Sequence, residues 1–166
     1  MITYRKAKLS ELSNLKSLLW KHGPNEWNCL TPDGVDDEFA LVECASAEAM
    51  VALEADEVVG MAVLIDGTSS PDYLTKYADL EHISFIGDVV VSAEHNGKGI
   101  ATQLLNHCIE LAKDKGAKAV FIERHEENLA SAGMMKKAGF LVVDTFHDPQ
   151  KRSAGSQNSV ILAVHF

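Results

Sequence analysis

Cysteine is scarce in this chain, cations are outnumbered, and long apolar runs are missing. Cys29, Cys44 and Cys108 are an odd set with no Cys-x-x-Cys spacing, so nothing indicates a disulfide framework or a zinc site. They read as buried thiols, with Cys108 on the core face of a helix. No apolar stretch approaches the ~18 residues that cross a bilayer, and no basic segment leading into an apolar one opens at Met1. The expectation is a cytoplasmic protein with no membrane partner. With 15 Lys and Arg against 24 Asp and Glu, the formal net charge is −9. Phosphate backbones are bound mainly by Lys and Arg, so a nucleic-acid partner is disfavoured. The same excess either keeps the chain soluble or draws in a cationic partner. Two common nucleotide loops are absent as well: neither Gly-x4-Gly-Lys-Ser/Thr nor Gly-x-Gly-x-x-Gly occurs.

What is present fits one domain, residues 1–166. The 46% of apolar and 23% of charged residues match an ordinary globular chain, large enough to bury a core. Period-2 and period-3.6 patterns divide it. Ile2 to Lys6 reads as a strand. A helix follows from about Ser10 to Lys21, with Ser10 as N-cap and Leu9 as a staple. After the turn-rich segment HGPNEWNCLTPDG, which could frame a pocket with Trp20, Glu26 and Trp27, a helix covers about Val35 to Cys44. Met50–Ala55 and Val58–Ile65 form a hairpin turning at Asp56-Glu57, and His82–Val91 reads as a central strand. Ala117–Glu123 is a second fully apolar strand, parallel to it across a helical crossover. A helix from Asn128 to Ala138 and strands near Phe140–His147 and Ser159–Phe166 close the series. The linker DPQKRSAGSQN is polar and reads as mobile.

The most informative segment is Val89 to Gly116, where an apolar strand meets a glycine turn that opens into an amphipathic helix. Gly97 and Gly99 lack a Cβ and can bring main-chain N–H groups close to a ligand. The free N–H groups at the start of the following helix point the same way, backed by the positive end of its dipole. Such a turn takes an anion, with Asn96, Gly97, Lys98, Gly99, Ile100, Ala101 and Thr102 as candidate ligands.

Asn96 to Ala101, NGKGIA, resembles the acyl-CoA pyrophosphate loop of the GNAT N-acyltransferase superfamily, Arg/Gln-x-x-Gly-x-Gly/Ala. Gly99 and Ala101 match, and Asn96 stands where Arg or Gln is usual. NLASAGMMKKAGF from Asn128 is similar to the family's second CoA-contacting segment, with Asn128 and Ser131 as candidate contacts. Many relatives carry a general-acid tyrosine at the position of Met135, which this chain lacks; aminoglycoside 6'-N-acetyltransferases share that lack and the serine at Ser131. The resemblance covers nearly the whole chain and implies an α/β fold, a mixed and mostly antiparallel sheet with a central parallel strand pair flanked by helices. It also implies acetyl-CoA as co-substrate, a primary amine of a small molecule or peptide as acceptor, direct transfer and no metal. A homodimer is compatible with it.

Amine acylation needs a neutral amine, and at pH 7.4 an alkylammonium is only about 0.1% neutral, a handicap of roughly 4 kcal/mol that a base helps remove. Glu123, ending the run AVFIE, is the first candidate, supported by a carboxylate at the matching place in ribosomal-protein N-acetyltransferases. Asp88 is second, since a charge inside IGDVVV must be paired or hydrogen-bonded; alternation places it opposite Phe85, Gly87 and Val89. Glu81, His82 and His125 flank these strand ends as possible relays or ordinary surface residues. In the resembling family main-chain N–H groups of this strand hold the oxyanion, which implies Val89, Val90 and Val91 here, and a β-bulge would expose them. Ser131 or water would protonate the thiolate. Because Asn96 and Met135 both depart from the family pattern, a non-catalytic CoA-binding sensor is the rival reading.

Overall fold

The computed structural model describes residues 1–166. Seven strands form one sheet in the order β1-β2-β3-β4-β5-β7-β6. They are β1 (Ile2–Lys6), β2 (Ala47–Glu54), β3 (Glu57–Asp66), β4 (Ile83–Val91), β5 (Ala119–His125), β6 (Leu141–His147) and β7 (Asn158–His165). Only β4 and β5 pair in parallel; the other neighbours are antiparallel. The expected mixed sheet with one central parallel pair is therefore present.

Helices cover both faces, which is why the central strands are apolar throughout. On one side lie α1 (Leu12–His22) and α2 (Pro32–Glu43), and their Leu15, Leu19, Val35 and Phe39 pack with Met61, Phe85 and Phe121. On the other lie α3 (Ile100–Asp114) and α4 (Leu129–Lys137), where Leu104, Leu105, Cys108 and Met135 meet Leu64, Ile86 and Ile122. Leu104 is fully buried, so Leu104→Ala would cost about 2–5 kcal/mol. α3 is the crossover between the parallel strands, and Gly116 follows it at φ +86°, past its last turn. No helix is long and apolar enough to cross a membrane.

Several boundaries differ from the sequence reading. Ser10 is not the cap of α1: a short 3-10 turn at Leu9–Glu11 comes first, and Glu11 accepts from the Lys8 N–H at 2.7 Å. α2 begins at Pro32 because the Thr31 hydroxyl accepts from the Gly34 N–H at 3.1 Å. The hairpin turns at Ala55-Asp56, both at positive φ, one residue before the expected place; two left-handed residues suit a two-residue hairpin loop. β5 runs on to His125, so Glu123 lies inside the strand opposite Ile161 rather than at its end. Cys29 and Cys44 are exposed and only Cys108 is buried. The linker expected to be mobile is tied down: Arg152 is buried and its Nε donates to Ser159 Oγ at 2.9 Å.

Candidate functional site

The site begins with a defect in β4. On β3, one residue separates Ala62 from Leu64, while on β4 two residues, Gly87 and Asp88, separate their partners Val89 and Ile86. The extra residue is a bulge, and it reverses the alternation. Phe85 faces the α1–α2 side, whereas Val89 packs on the α3–α4 side. Asp88 thus cannot oppose both of them, as regular alternation predicted. The parallel ladder also stops here: β4 and β5 pair from Ile83↔Ala119 to Ile86↔Ile122, and beyond that the two strands are joined only to their outer neighbours. A wedge opens between Gly87–Val91 and Glu123–His125.

Main-chain donors line this wedge. The Ser92 N–H donates to Val59 O at 2.8 Å, toward β3. By the alternation of an antiparallel ladder, the Val90 N–H also faces β3, and those of Val89 and Val91 face the wedge. Val90 thus drops out of the expected trio of free donors.

A cavity of about 920 Å³ fills the wedge and extends under the segment between α1 and α2. Asp88, Val89, Val90, Val91, Asn96, Ala101, Glu123, Asn128 and Ser131 line it, so the sequence reading's two segments and both its candidate bases converge. A second cavity of about 350 Å³ adjoins it and shares Val91, Asn96 and Ala101; Gly97, Gly99, Ile100 and Thr102 line it as well. Gly97 and Gly99 have φ of +80° and +75°. A Cβ at either would meet nothing within 4 Å, so backbone conformation, not crowding, requires glycine. Gly99 is the N-cap of α3 and offers no side-chain cap, leaving the first helical N–H groups for a ligand. Lys98, expected as a ligand, lines neither cavity, and Ile100 can contribute only its main chain because its side chain is in the core. Lys137 from α4 lines the smaller cavity and supplies a cation where Asn96 supplies none. Asn128 spends its side chain on capping, accepting from the Ser131 N–H at 3.2 Å. Met135 is 3% exposed and can donate no proton to a sulfur.

Glu123 is enclosed: its side chain is 3% exposed. Oε2 accepts from the Tyr73 hydroxyl and from Lys151 Nζ at 2.7 Å, while Oε1 is buried without a partner. Burial, and then the charge on Glu123, push the Tyr73 phenol up, so it remains a donor at neutral pH. His125 is not a surface residue. It is 1% exposed, its Nδ1 accepts from the Glu127 N–H at 3.0 Å and its Nε2 lies 2.6 Å from Ala154 O. With both ring nitrogens engaged it serves as a staple for the β6–β7 loop. Glu81 and His82 precede β4, at the end opposite the wedge.

The sequence reading missed Glu38. It stands in the buried stripe of α2 with Val35, Phe39 and Val42 and is 8% exposed. Burial first, and a side-chain hydrogen bond to the Asp88 carboxylate second, push its acid well above the ordinary carboxylate range, so Glu38 holds the proton of the pair at neutral pH. Its Oε1 occupies the space a Cβ on Gly87 would need, so Gly87 is the residue that makes room for it. The spacing Val35, Glu38, Phe39, Val42 was a visible signal: an acid at the i+3 position of an apolar stripe.

A family model described as the acetyltransferase (GNAT) family matches residues 12–140. The chain belongs to this family. It is 37% identical over 67 residues to the uncharacterized N-acetyltransferase YobR of Bacillus subtilis strain 168, a stretch covering 40% of this chain and 27% of that protein. The matched part is thus about a quarter of the curated relative's length. Among solved structures, YncA from Salmonella typhimurium with its cofactor acetyl-CoA is similar at a TM-score of 0.77 and 20% identity, over 99% of this chain and 94% of that one. Aminoglycoside acetyltransferase AAC(6')-Ib in complex with coenzyme A and kanamycin is similar at 0.73 and 19% identity, over 99% and 95%. At these identities the likeness is one of fold. In this GNAT chain the glycine turn, the β4 bulge and the wedge beside β5 lie together at the C-terminal end of the parallel pair.

Proposed function

We propose that the chain is an acetyl-CoA-dependent N-acetyltransferase acting by direct transfer on a primary amine, with residues 1–166 as one catalytic domain. The observation that carries this reading is the uncapped start of α3 behind the left-handed Gly97 and Gly99, opening onto a cavity continuous with the wedge. Main-chain N–H groups from Gly97 to Thr102 would hold the diphosphate, with Lys137 adding charge. The wedge would take the pantetheine arm, which resembles a strand in its amide spacing and can use the donors that β5 leaves free on β4.

Within that arrangement, Glu123 Oε1 is the atom that receives the ammonium proton, because Oε2 is already engaged by Tyr73 and Lys151. The Val89 and Val91 N–H groups would stabilise the oxyanion. Ser131 or water would protonate the departing thiolate, whose pKa near 8.5 makes little demand on an acid. The acceptor would be cationic before it reacts, given the −9 charge and the acids at the cavity wall. AAC(6')-Ib, similar in fold, is seen with an aminoglycoside.

The test is a thermal-shift titration with acetyl-CoA followed by thiol release with an amine panel. Acetyl-CoA at about 100 times its dissociation constant adds roughly 2.7 kcal/mol, worth about 2 to 4 °C for each kcal/mol. No shift at millimolar acetyl-CoA overturns the site assignment. A shift with no thiol release on any amine supports the second reading, a non-catalytic CoA-binding sensor, which the buried Met135 and the Lys151–Glu123 pair favour.

A further inference from the structure

We propose that Arg152 holds a carboxylate in the acceptor pocket and that the amine acetylated beside it belongs to an α-amino acid. The inference rests on the acetyltransferase reading for the fate of the amine, but the subsite is argued from its own geometry. Arg152 is 8% exposed and lines the same cavity as Glu123. Burial lowers its pKa, yet a guanidinium stays charged at neutral pH. None of the chain's ion pairs includes it. Its Nε donates to Ser159 Oγ at 2.9 Å, and that hydroxyl donates to Asp148 Oδ2 at 2.9 Å, so Asp148 is linked to it through Ser159. Nη1 reaches Trp27 O only at 3.5 Å, the outer limit of a hydrogen bond. Nη2 donates to nothing and is not sealed inside the protein. Tying the β6–β7 loop to β7 needs the Nε bond alone. Burying the rest of a guanidinium with no carboxylate in contact is costly, which leaves the fork of Nη1 and Nη2 set for a ligand in the cavity.

The chemistry of the missing partner follows from what the fork offers. Two parallel N–H donors with one positive charge are the complement of a carboxylate. A phosphate would bring a further negative charge toward Glu123 and Asp148, whose fields already reach Arg152. The proposed diphosphate site is elsewhere, at the start of α3, which packs on the opposite face from Phe121 and Ile161. Position then narrows the ligand. Ser159 pairs with His125 and Ile161 with Glu123, so the anchor of Arg152 lies on the same face as Glu123 and two residues, about 7 Å, along the strand. A molecule that hydrogen-bonds to both at about 2.8 Å carries its ammonium and its carboxylate close together, as on one carbon. Glu123 takes the ammonium proton and Arg152 holds the carboxylate. The freed amine forms the amide bond as the thioester C–S bond breaks and the CoA thiolate leaves. The charge of −9 acts on the side chain, favouring neutral and basic amino acids over acidic ones.

The experiment measures thiol release with the common L-amino acids, each against its α-amide, and with 6-aminohexanoate, whose carboxylate is remote from its amine. The amide keeps the ammonium and drops the negative charge, so the field of the whole protein favours the amide and the subsite predicts the reverse. In wild type at least one amino acid should show a KM about 10-fold or more below that of its amide, and 6-aminohexanoate should resemble the amides. Arg152→Met should erase the difference by raising KM for the acid alone, whereas a merely structural role would change kcat, or KM for acid and amide alike. Arg152→Lys keeps the charge without the fork and should retain part of the preference; it decides the matter if Arg152→Met does not fold. Equal KM for every acid and its amide in wild type, or an undiminished preference in the variants, overturns the subsite. Should no amine turn over, the acetyltransferase reading falls alone. The subsite is then overturned separately if no amino acid raises the Tm of wild type more than its amide does.

Discussion

Glu123 is held by its neighbours in a way that divides its two oxygens between structure and chemistry. Tyr73 and Lys151 take Oε2, and Oε1 is buried with no partner. Glu123→Gln should lower turnover by roughly 10²-fold and leave the acetyl-CoA thermal shift unchanged; unaltered turnover transfers the role to Asp88 or a bound water. Lys151→Met removes the competing cation, and the rate should then rise at a lower acceptor concentration, measured as a smaller KM. At this scale the sequence disclosed residue types better than their partners. Glu123 and Asp88 could be singled out because a carboxylate in an apolar run demands an explanation. Glu38 escaped notice because an acid on an amphipathic helix is normally read as part of the wet face, although its spacing with Val35, Phe39 and Val42 placed it on the dry one. His125 was misread for a related reason: its partners, Ala154 O and the ring of Trp27, lie far away in sequence, and no local pattern announces them.

Two elements carry predictions of their own. The start of α3 must keep both glycines in left-handed conformation while leaving its N–H groups bare. Gly99→Glu puts a carboxylate against the proposed diphosphate and adds the strain of a non-glycine residue at φ +75°, about 1–2 kcal/mol. The variant should fold, melt several degrees lower, and show no shift with acetyl-CoA; a retained shift would place the cofactor elsewhere. The turn between β1 and α1 depends on Glu11. Its oxygens accept from Arg5 Nη1 and Nη2 at 2.8 and 2.9 Å and from the Lys8 N–H. Arg5 first, and the Lys8 N–H second, hold the acid down to about 2. Because this carboxyl binds protons less readily folded than unfolded, its contribution is complete above the ordinary carboxylate range near 4.5 and is lost as pH falls toward 2. Glu11→Gln should therefore lower Tm at pH 6 and have little effect near pH 2, as a pH series of melting curves would show.

Elements such as these were legible where periodicity is strong: α3, β4 and β5 all appear where apolar spacing put them. Their ends were less so. Caps at Thr31 and Glu11 depend on which side chain finds a backbone donor. The bulge at Gly87-Asp88 depends on pairing with β3, which a single strand's pattern does not contain.

For the molecule as a whole, the charge of −9 should act on the rate at which acceptors arrive. Screening shortens from about 30 Å at 0.01 M to about 10 Å at 0.1 M salt, so kcat/KM for a polyamine or aminoglycoside should exceed that for an acidic amino acid at low salt, and the gap should narrow as salt rises. A preference for acidic acceptors that ignores salt would show that the charge serves only solubility. The parallel pair could be anticipated, since a fully apolar strand, a crossover helix and another apolar strand admit few arrangements; the mixed sheet around it was implied by the resemblance to the GNAT fold. Where β6 and β7 lie could not be, because both are short antiparallel strands and their order is decided by contacts across the sheet.

That order has a bearing on how the protein is made. β7 lies between β5 and β6, so β6 has no partner in the sheet until residues 158–165 exist. A nascent chain leaving the ribosome would present β6, with Leu141, Val142 and Val143 exposed even in the finished fold, together with the open side of β5. Synthesis at about 5–20 residues per second keeps that interval to a few seconds. During it, β5 has no antiparallel neighbour, and the loop bearing Lys151 and Arg152 has nothing to close against. The strand translated after β6 is thus the one that turns two bare edges into paired ones.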